Sequence, residues 1–165
     1  MKVIVDTNVP IVANKVSPQA SPNCIETCIR ELREIERRHT LVLDDDWRIL
    51  GEYQRNLRSS GQPGIGDRFL KWVLVNRHNS QRCEQVHLTS LAASGDDQLF
   101  AEFPNDERLV GFDRSDRKFV AVAVAHPERP PILNAMDADW WYYREPLKRH
   151  GIRVEFLCPD AMPGG

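Results

Sequence analysis

The chain has 165 residues, a length that fits one domain with a buried core. Its charged and apolar fractions are ordinary for a globular protein, and its net charge of −2 does not indicate a strongly basic nucleic-acid binder. No stretch approaches the roughly 18 apolar residues that cross a membrane, so we expect no membrane partner.

The cysteines bear on the cellular compartment. The chain begins directly with a strand and shows no apolar signal segment, which predicts a reducing cytoplasm and free, half-buried thiols. Cys24 and Cys28 lie one helical turn apart, whereas a zinc site usually needs closer pairs and four ligands. The four cysteines are Cys24, Cys28, Cys83 and Cys158.

The first part of the chain alternates between predicted strands and helices. Residues 2–6 read as a short β-branched strand that ends in Asp-Thr-Asn, and a Ser-Pro pair opens a helix over 21–38. A second short strand covers 41–43. Three consecutive aspartates at 44–46 are predicted to cap a helix over roughly 46–58.

The middle of the chain is less regular. A glycine-rich loop precedes a predicted helix over 67–77, and residues 85–88 are a candidate third strand. In the region 89–108, turn-forming clusters at 94–97 and 104–106 indicate turns around a short helix.

The last part of the chain returns to regular elements. Residues 119–125 are apolar throughout, so periodicity leaves open whether they form a buried strand or a helix. Residues 131–136 are predicted as a strand, 139–150 as a helix and 152–156 as the final strand.

This alternation predicts an α/β fold with a parallel sheet and helices on both faces. We expect residues 1–158 to form a single domain. Residues 159–165 are predicted to be a flexible tail, because chain termini without regular structure are usually loose.

Acidic residues stand at or beside several predicted strand ends and helix starts. The carboxyl ends of parallel strands line one crevice, and ligands bind there. Carboxylates gathered in one crevice repel each other unless a cation holds them, and hard oxygen ligands suit Mg²⁺ or Mn²⁺. The candidates for this site are Asp6, Glu52, Asp116, Asp137 and Asp139.

Each acid also has an ordinary structural explanation. An aspartate that ends a strand, such as Asp6, is often a turn former or a helix cap. Asp116 fits the first turn of a helix, where the dipole favours an acid, and Glu52 fits a solvated helix face. Only their combination and order indicate a catalytic site.

A basic stretch accompanies the acids. Between Tyr53 and Cys83, six basic residues stand against the single acid Asp67. Such a stretch can bind the phosphates of a nucleic acid, although it can also be a solvated face. The residues predicted to contact phosphates are Arg68, Lys71, Arg77 and Arg82.

Four sequence motifs together resemble the PIN-domain (VapC-like) ribonucleases. The opening VIVDTNV at 3–9 is similar to that family's first strand, and ILGEY at 49–53 to its glutamate-bearing helix. DRSDRKFVAVA at 113–123 resembles its acidic helix start, and ILNAMDADW at 132–140 its strand that ends in Asp-x-Asp. Trp140 departs from the usual Phe, and the resemblance does not cover residues 59–108.

The resemblance implies a PIN-like three-layer sandwich around a parallel sheet of four to five strands, with 119–125 as a helix. It also implies an endoribonuclease that uses Mg²⁺ or Mn²⁺ to hydrolyse RNA phosphodiester bonds. Asp6, Glu52, Asp116 and Asp137 would be catalytic and bind metal, as the matching motifs imply. Asp139 would act through water or hold a second ion. Thr7 and Asn8 directly follow Asp6, so their hydroxyl and amide groups are candidates to orient a metal-bound water and to bind substrate.

The resemblance further suggests partners. RNA is the expected substrate, and an antitoxin protein or a second copy of the chain in a homodimer is a further candidate. The alternative function is a non-catalytic PIN-like scaffold that binds RNA or protein.

Overall fold

A five-stranded parallel sheet forms the centre of the protein. In the computed structural model, which describes residues 1–61, 63–91 and 98–164, the strand order is β3-β2-β1-β4-β5. All four neighbouring pairs are parallel. The predicted α/β fold is therefore confirmed. The strands are β1 (Lys2–Val5), β2 (Thr40–Asp44), β3 (Cys83–Val86), β4 (Ile132–Asn134) and β5 (Val154–Phe156).

Helices surround this sheet in a three-layer arrangement. Within the described ranges they are α1 (Asn8–Ala13), α2 (Pro22–Arg38), α3 (Arg48–Asn56), α4 (Ile65–Asn76), α5 (Arg117–Ala125), α6 (Ala138–Tyr142) and α7 (Arg144–Arg149). In this part of the chain, no helix combines the length and the apolar character that a membrane span requires.

Local sequence signals explain where two of the helices begin. Ser21 accepts a hydrogen bond from the backbone N–H of Cys24 at 3.1 Å, with Pro22 in the first helical position, as predicted. Asp44 caps α3 by accepting from the N–H groups of Arg48 at 2.9 Å and Ile49 at 3.0 Å. The predicted capping role of 44–46 is confirmed for Asp44.

The core lies on both faces of the sheet. Val3, Ile4 and Val5 are all buried, and since successive strand residues point to opposite faces, both faces of β1 are covered. The apolar run 119–125 belongs to the helix α5, which packs against the central strands β1, β2 and β4. Burial on all sides explains why its periodicity was ambiguous.

Proline divides the predicted helix 139–150 into α6 and α7, with the break at Tyr143. Pro146 lacks a backbone N–H, and in a continuous helix its ring would clash with the carbonyl of Tyr142. The turn cluster at 94–97 lies outside the described residues. Elsewhere in 89–108 the structure contains an isolated bridge between Ser90 and Phe100 and a short 3₁₀ helix at Glu107–Leu109.

The cysteine prediction was wrong for two of the four residues. Cys24 and Cys158 form a disulfide that joins α2 to the segment after β5, with their Cα atoms 5.3 Å apart. Cys28 and Cys83 are free thiols, and both are buried. Cys158 is 134 residues further along the chain than Cys24, and β5 positions it beside α2. Local sequence patterns do not reveal such a distant contact.

The segment after the disulfide makes contacts as far as Pro163. It contains a 3₁₀ turn at Pro159–Ala161, and the side chain of Met162 is buried. The indole N–H of Trp141 donates to the carbonyl of Pro163 at 2.9 Å.

Replacement of Cys158 by Ser should lower the free energy of unfolding by about 2–4 kcal/mol, because the disulfide restricts the unfolded chain. Urea unfolding without reductant measures the difference. Dithiothreitol should bring the wild-type protein close to the variant, and equal midpoints of the two proteins without reductant would show that the disulfide does not form in solution.

Candidate active site

The topology of the sheet creates one crevice. The chain winds from β1 through β2 to β3 on one side, whereas β4 and β5 lie on the other, so the strand order reverses between β1 and β4. Ligands of open parallel sheets bind at such a reversal, beyond the carboxyl ends of the strands. Asp6 directly follows β1 there, and Asp137 comes shortly after β4.

Hydrogen bonds across this crevice fix Asp6. Its backbone N–H donates to the carbonyl of Leu133 at 3.0 Å, which extends the pairing of β1 with β4. The side-chain amide of Asn134 donates to Oδ2 of Asp6 at 3.0 Å. Asp6 is 4% exposed, so one oxygen of a buried carboxylate has a neutral donor as its partner.

Asp116 reaches the same region from the start of α5. Asp113 accepts from the backbone N–H of Ser115 at 2.9 Å and from its hydroxyl at 2.8 Å, which shapes the 3₁₀ turn Arg114–Asp116. Because α5 packs on β1 and β4, the end of this turn is directed to the crevice.

The carboxylates raise each other's proton affinity. Burial raises the pKa of Asp6 well above its usual value, and the charges of Asp116, Glu52 and Asp137 raise it further. Burial, followed by the charge of Asp137, raises the pKa of Asp116 to about 7. The pKa of Asp137 is also raised, mainly by burial. The structure therefore brings these four predicted residues into one electrostatic neighbourhood.

Lys118 is the residue of this site that sequence reasoning missed. Its ammonium donates to Oε1 of Glu52 at 2.7 Å, and the two side chains are 9% and 16% exposed. It also donates to the carbonyl of Ser115. The sequence feature that could have identified Lys118 is its position in the first turn of an apolar helix, because a buried ammonium group requires an anionic or polar partner.

Thr7 and Asn8 connect parts of the site. The hydroxyl of Thr7 donates to Oε2 of Glu52, so both oxygens of this carboxylate have partners. Oδ1 of Asn8 accepts from the backbone N–H of Ala135 at 3.0 Å and joins the start of α1 to the end of β4. In this structure both side chains hold neighbouring segments together.

Asp137 and Asp139 occupy different positions. Asp137 is the N-cap of α6, where its Oδ1 accepts from the backbone N–H of Asp139 at 2.9 Å. Asp139 is exposed in the first turn of the helix. Its charge raises the pKa of Asp137, whereas the pKa of Asp6 responds to Asp137 itself.

The acidic donors suit a hard divalent cation by their chemistry, but their oxygens do not converge on one point. Among the described residues, the three potential metal ligands whose atoms lie within 4.8 Å of one another are the cysteines Cys24, Cys28 and Cys158, and not the acids of the crevice. A metal ion would therefore have to draw the carboxylates together.

The predicted basic residues do not form a single wall beside the acids. Arg82 precedes β3, at the amino edge of the sheet and opposite the acidic crevice, and donates to the carbonyl of Arg37 at 3.0 Å. Arg77 lies over the ring of Trp47. Arg68 is near Glu36 of α2, whose pKa burial raises while the charges of Arg33 and Arg68 partly offset that rise. Lys71 is exposed on α4.

Comparison with known proteins adds no family assignment. No family model, no curated protein and no solved structure matches this chain. A functional conclusion therefore depends on the geometry of the site and on the sequence motifs.

The raised pKa of Asp116 predicts how the stability of the folded protein changes with pH. An acid with a folded-state pKa of about 7 and an ordinary value of 3.8 holds its proton more tightly when folded. Its contribution to stability is therefore present below about pH 4 and is lost as the pH rises towards 7. In EDTA, Asp116→Asn should remove this loss and melt a few degrees above the wild type at pH 8.

Thermal unfolding from pH 4 to 8 provides the measurement. Asp160→Asn, at an exposed position outside the site, is the matched control and should follow the wild-type curve. Parallel curves for wild type and Asp116→Asn would contradict the raised pKa.

Proposed function

We propose that this protein is a PIN-like, Mg²⁺- or Mn²⁺-dependent endoribonuclease that hydrolyses RNA phosphodiester bonds. The observation that supports this most is the meeting of Asp6, Glu52, Asp116 and Asp137, from four separate segments, at the reversal of the sheet. Proteins rarely place carboxylates together away from water, because each negative charge disfavours a second one nearby. Perturbed acids in a crevice are a typical feature of catalytic sites.

The side chains fit the roles that this reaction needs. Asp6, Asp116 and Asp137 would hold the cation. Glu52 would become a fourth ligand if its ion pair with Lys118 were broken. A bound divalent ion would activate a water molecule and neutralise charge on the scissile phosphate. Asn134 fixes the orientation of Asp6, and the exposed Asp139 would contact the cation through water.

A second candidate is a non-catalytic scaffold that binds RNA or protein. Two observations favour it: both oxygens of Glu52 already have protein partners, and the carboxylate oxygens are not gathered in one coordination sphere. The further proposals of a toxin role, an antitoxin partner and a homodimer rest on the resemblance of the sequence motifs. A cytoplasmic location is a separate proposal from the sequence.

Metal-dependent cleavage is the central prediction. Purified protein should cut single-stranded RNA with Mn²⁺ or Mg²⁺ and stop when EDTA is added. Asp6→Asn and Asp116→Asn should each lower the rate by at least about 100-fold, since each removes a charge that would hold the ion. Gel analysis of a labelled RNA measures the rates.

Folding and contamination need separate controls. Circular dichroism and thermal melting should show intact folds, because loss of one charge from a repelling cluster does not destabilise the protein. Asp160→Asn, purified in the same way, should keep wild-type activity. Full activity in either site variant would exclude this mechanism, and RNA binding without cleavage in all proteins would favour the scaffold.

The neighbouring acids Asp137 and Asp139 should differ in their metal dependence. Asp137→Asn should abolish cleavage at any Mn²⁺ concentration, because the charge of Asp137 acts directly on both Asp6 and Asp116 in the crevice. Asp139→Asn should lose about 10–100-fold and recover partly at high Mn²⁺, as is typical when an outer contact is removed. A Mn²⁺ titration of both variants compares them, and the reverse order of severity would reject this assignment.

A further inference from the structure

A basic pocket of about 150 Å³ opens beside the acidic site. It lies between α3 and the turn that leads into α5. Among the described residues, its lining contains cationic and aromatic side chains but no acid. We call this the basic pocket; its charged and aromatic residues are Arg48, Arg55, Arg114, Lys118, Trp47 and Phe100.

The pocket and the acidic site share structural elements. Arg48 and Arg55 lie four residues before and three residues after Glu52 on α3, so these side chains are neighbours on the helix surface. Lys118 lines the pocket and also donates to Glu52 at 2.7 Å. A ligand in the pocket would therefore be adjacent to the acids.

Cation–π contacts affect what the pocket can bind. The guanidinium of Arg48 lies over the ring of Phe100, 5.2 Å from its centroid. Arg77 lies over Trp47 at 5.4 Å, and His78 contacts the edge of the same ring. Because guanidinium groups already lie on these ring faces, the pocket offers charge to a ligand and not a free surface for stacking a base.

Arg55 is the cation of this pocket that is best placed to bind an anion. Its side chain is exposed, and no ion pair of Arg55 occurs among the described residues. Arg48 instead pairs with the carboxylate of Asp46 at 2.7 Å. Gly51 adds no side chain to the lining, so the pocket stays open between the two arginines.

We propose that the basic pocket binds a backbone phosphate of the RNA strand, next to the phosphodiester that reaches the acidic site. Guanidinium groups bind phosphate oxygens through paired hydrogen bonds, and such contacts set the register of a strand without reading its bases. The position relative to the cleaved bond rests on the proposed function, whereas phosphate binding does not.

The test uses RNA binding without catalysis. Fluorescence anisotropy of a labelled single-stranded RNA of about 10 nucleotides is measured in EDTA at several salt concentrations. Arg55→Gln should weaken binding by about 5–10-fold near 0.1 M salt and reduce the slope of log Kd against log salt by about 0.7, the value for one lost phosphate contact. Gly51→Glu should weaken binding more, since it adds a carboxylate to the pocket.

Matched variants separate a local contact from general charge. Arg30→Gln removes one exposed arginine from α2, away from the pocket, and should change Kd by less than about 2-fold. Because glutamate favours a helix more than glycine, Gly51→Glu should keep the fold, which circular dichroism verifies.

The outcomes separate this inference from the proposed function. Wild-type RNA affinity in Arg55→Gln and Gly51→Glu would overturn the phosphate-binding role of the pocket. A loss of affinity in Arg30→Gln equal to that in Arg55→Gln would also overturn it, and so would the absence of RNA binding by the wild type. Arg55-dependent binding in a protein that never cleaves RNA with metal would support the pocket and reject the nuclease.

Discussion

The repulsion among the buried carboxylates at the β1–β4 reversal is the constraint on which the rest of the site depends. Burial and the neighbouring charges of Asp116, Glu52 and Asp137 raise the pKa of Asp6, so the fold must hold these groups together against their mutual repulsion. It does so with neutral and cationic donors. Asn134 donates to Asp6, and Lys118 donates to Glu52. Both donors come from rigid elements, β4 and α5, whose apolar residues are anchored in the core.

Much of the fold could be predicted because it depends on local patterns. The buried β-branched strand β1, the Ser-Pro start of α2 and the cap at Asp44 are all signals within a few residues. The parallel sheet with helices on both faces follows from the alternation of strands and helices, whereas this alternation does not set the strand order. The acids could be predicted as neighbours for the same reason, since strand ends in a parallel sheet share one edge.

The features that the sequence did not reveal depend on distant contacts. The Cys24–Cys158 disulfide joins residues 134 positions apart, and the pairing of Lys118 with Glu52 joins α5 to α3. The net positive charge of the stretch 53–83 does not tell which side of the protein its side chains face. Residues of α4 and of the turn before β3 lie on different faces. Among the described residues of this stretch, only Arg55 lines the pocket beside the acids; the other cations there are Arg48, Arg114 and Lys118, from α3 and the start of α5.

Lys118 gives the acidic site and the basic pocket a common component. A buried ion pair contributes little net stability, but the loss of one partner leaves the other charge uncompensated at considerable cost. Glu52 therefore cannot turn towards a cation in the crevice unless Lys118 finds another anion, and a phosphate in the basic pocket would supply one. By the same reasoning, a phosphate that attracts Lys118 frees a carboxylate oxygen for a cation. Coupling of this kind is reciprocal, so each ligand would favour the other. Under the proposed function, a single salt bridge thus links metal and substrate binding.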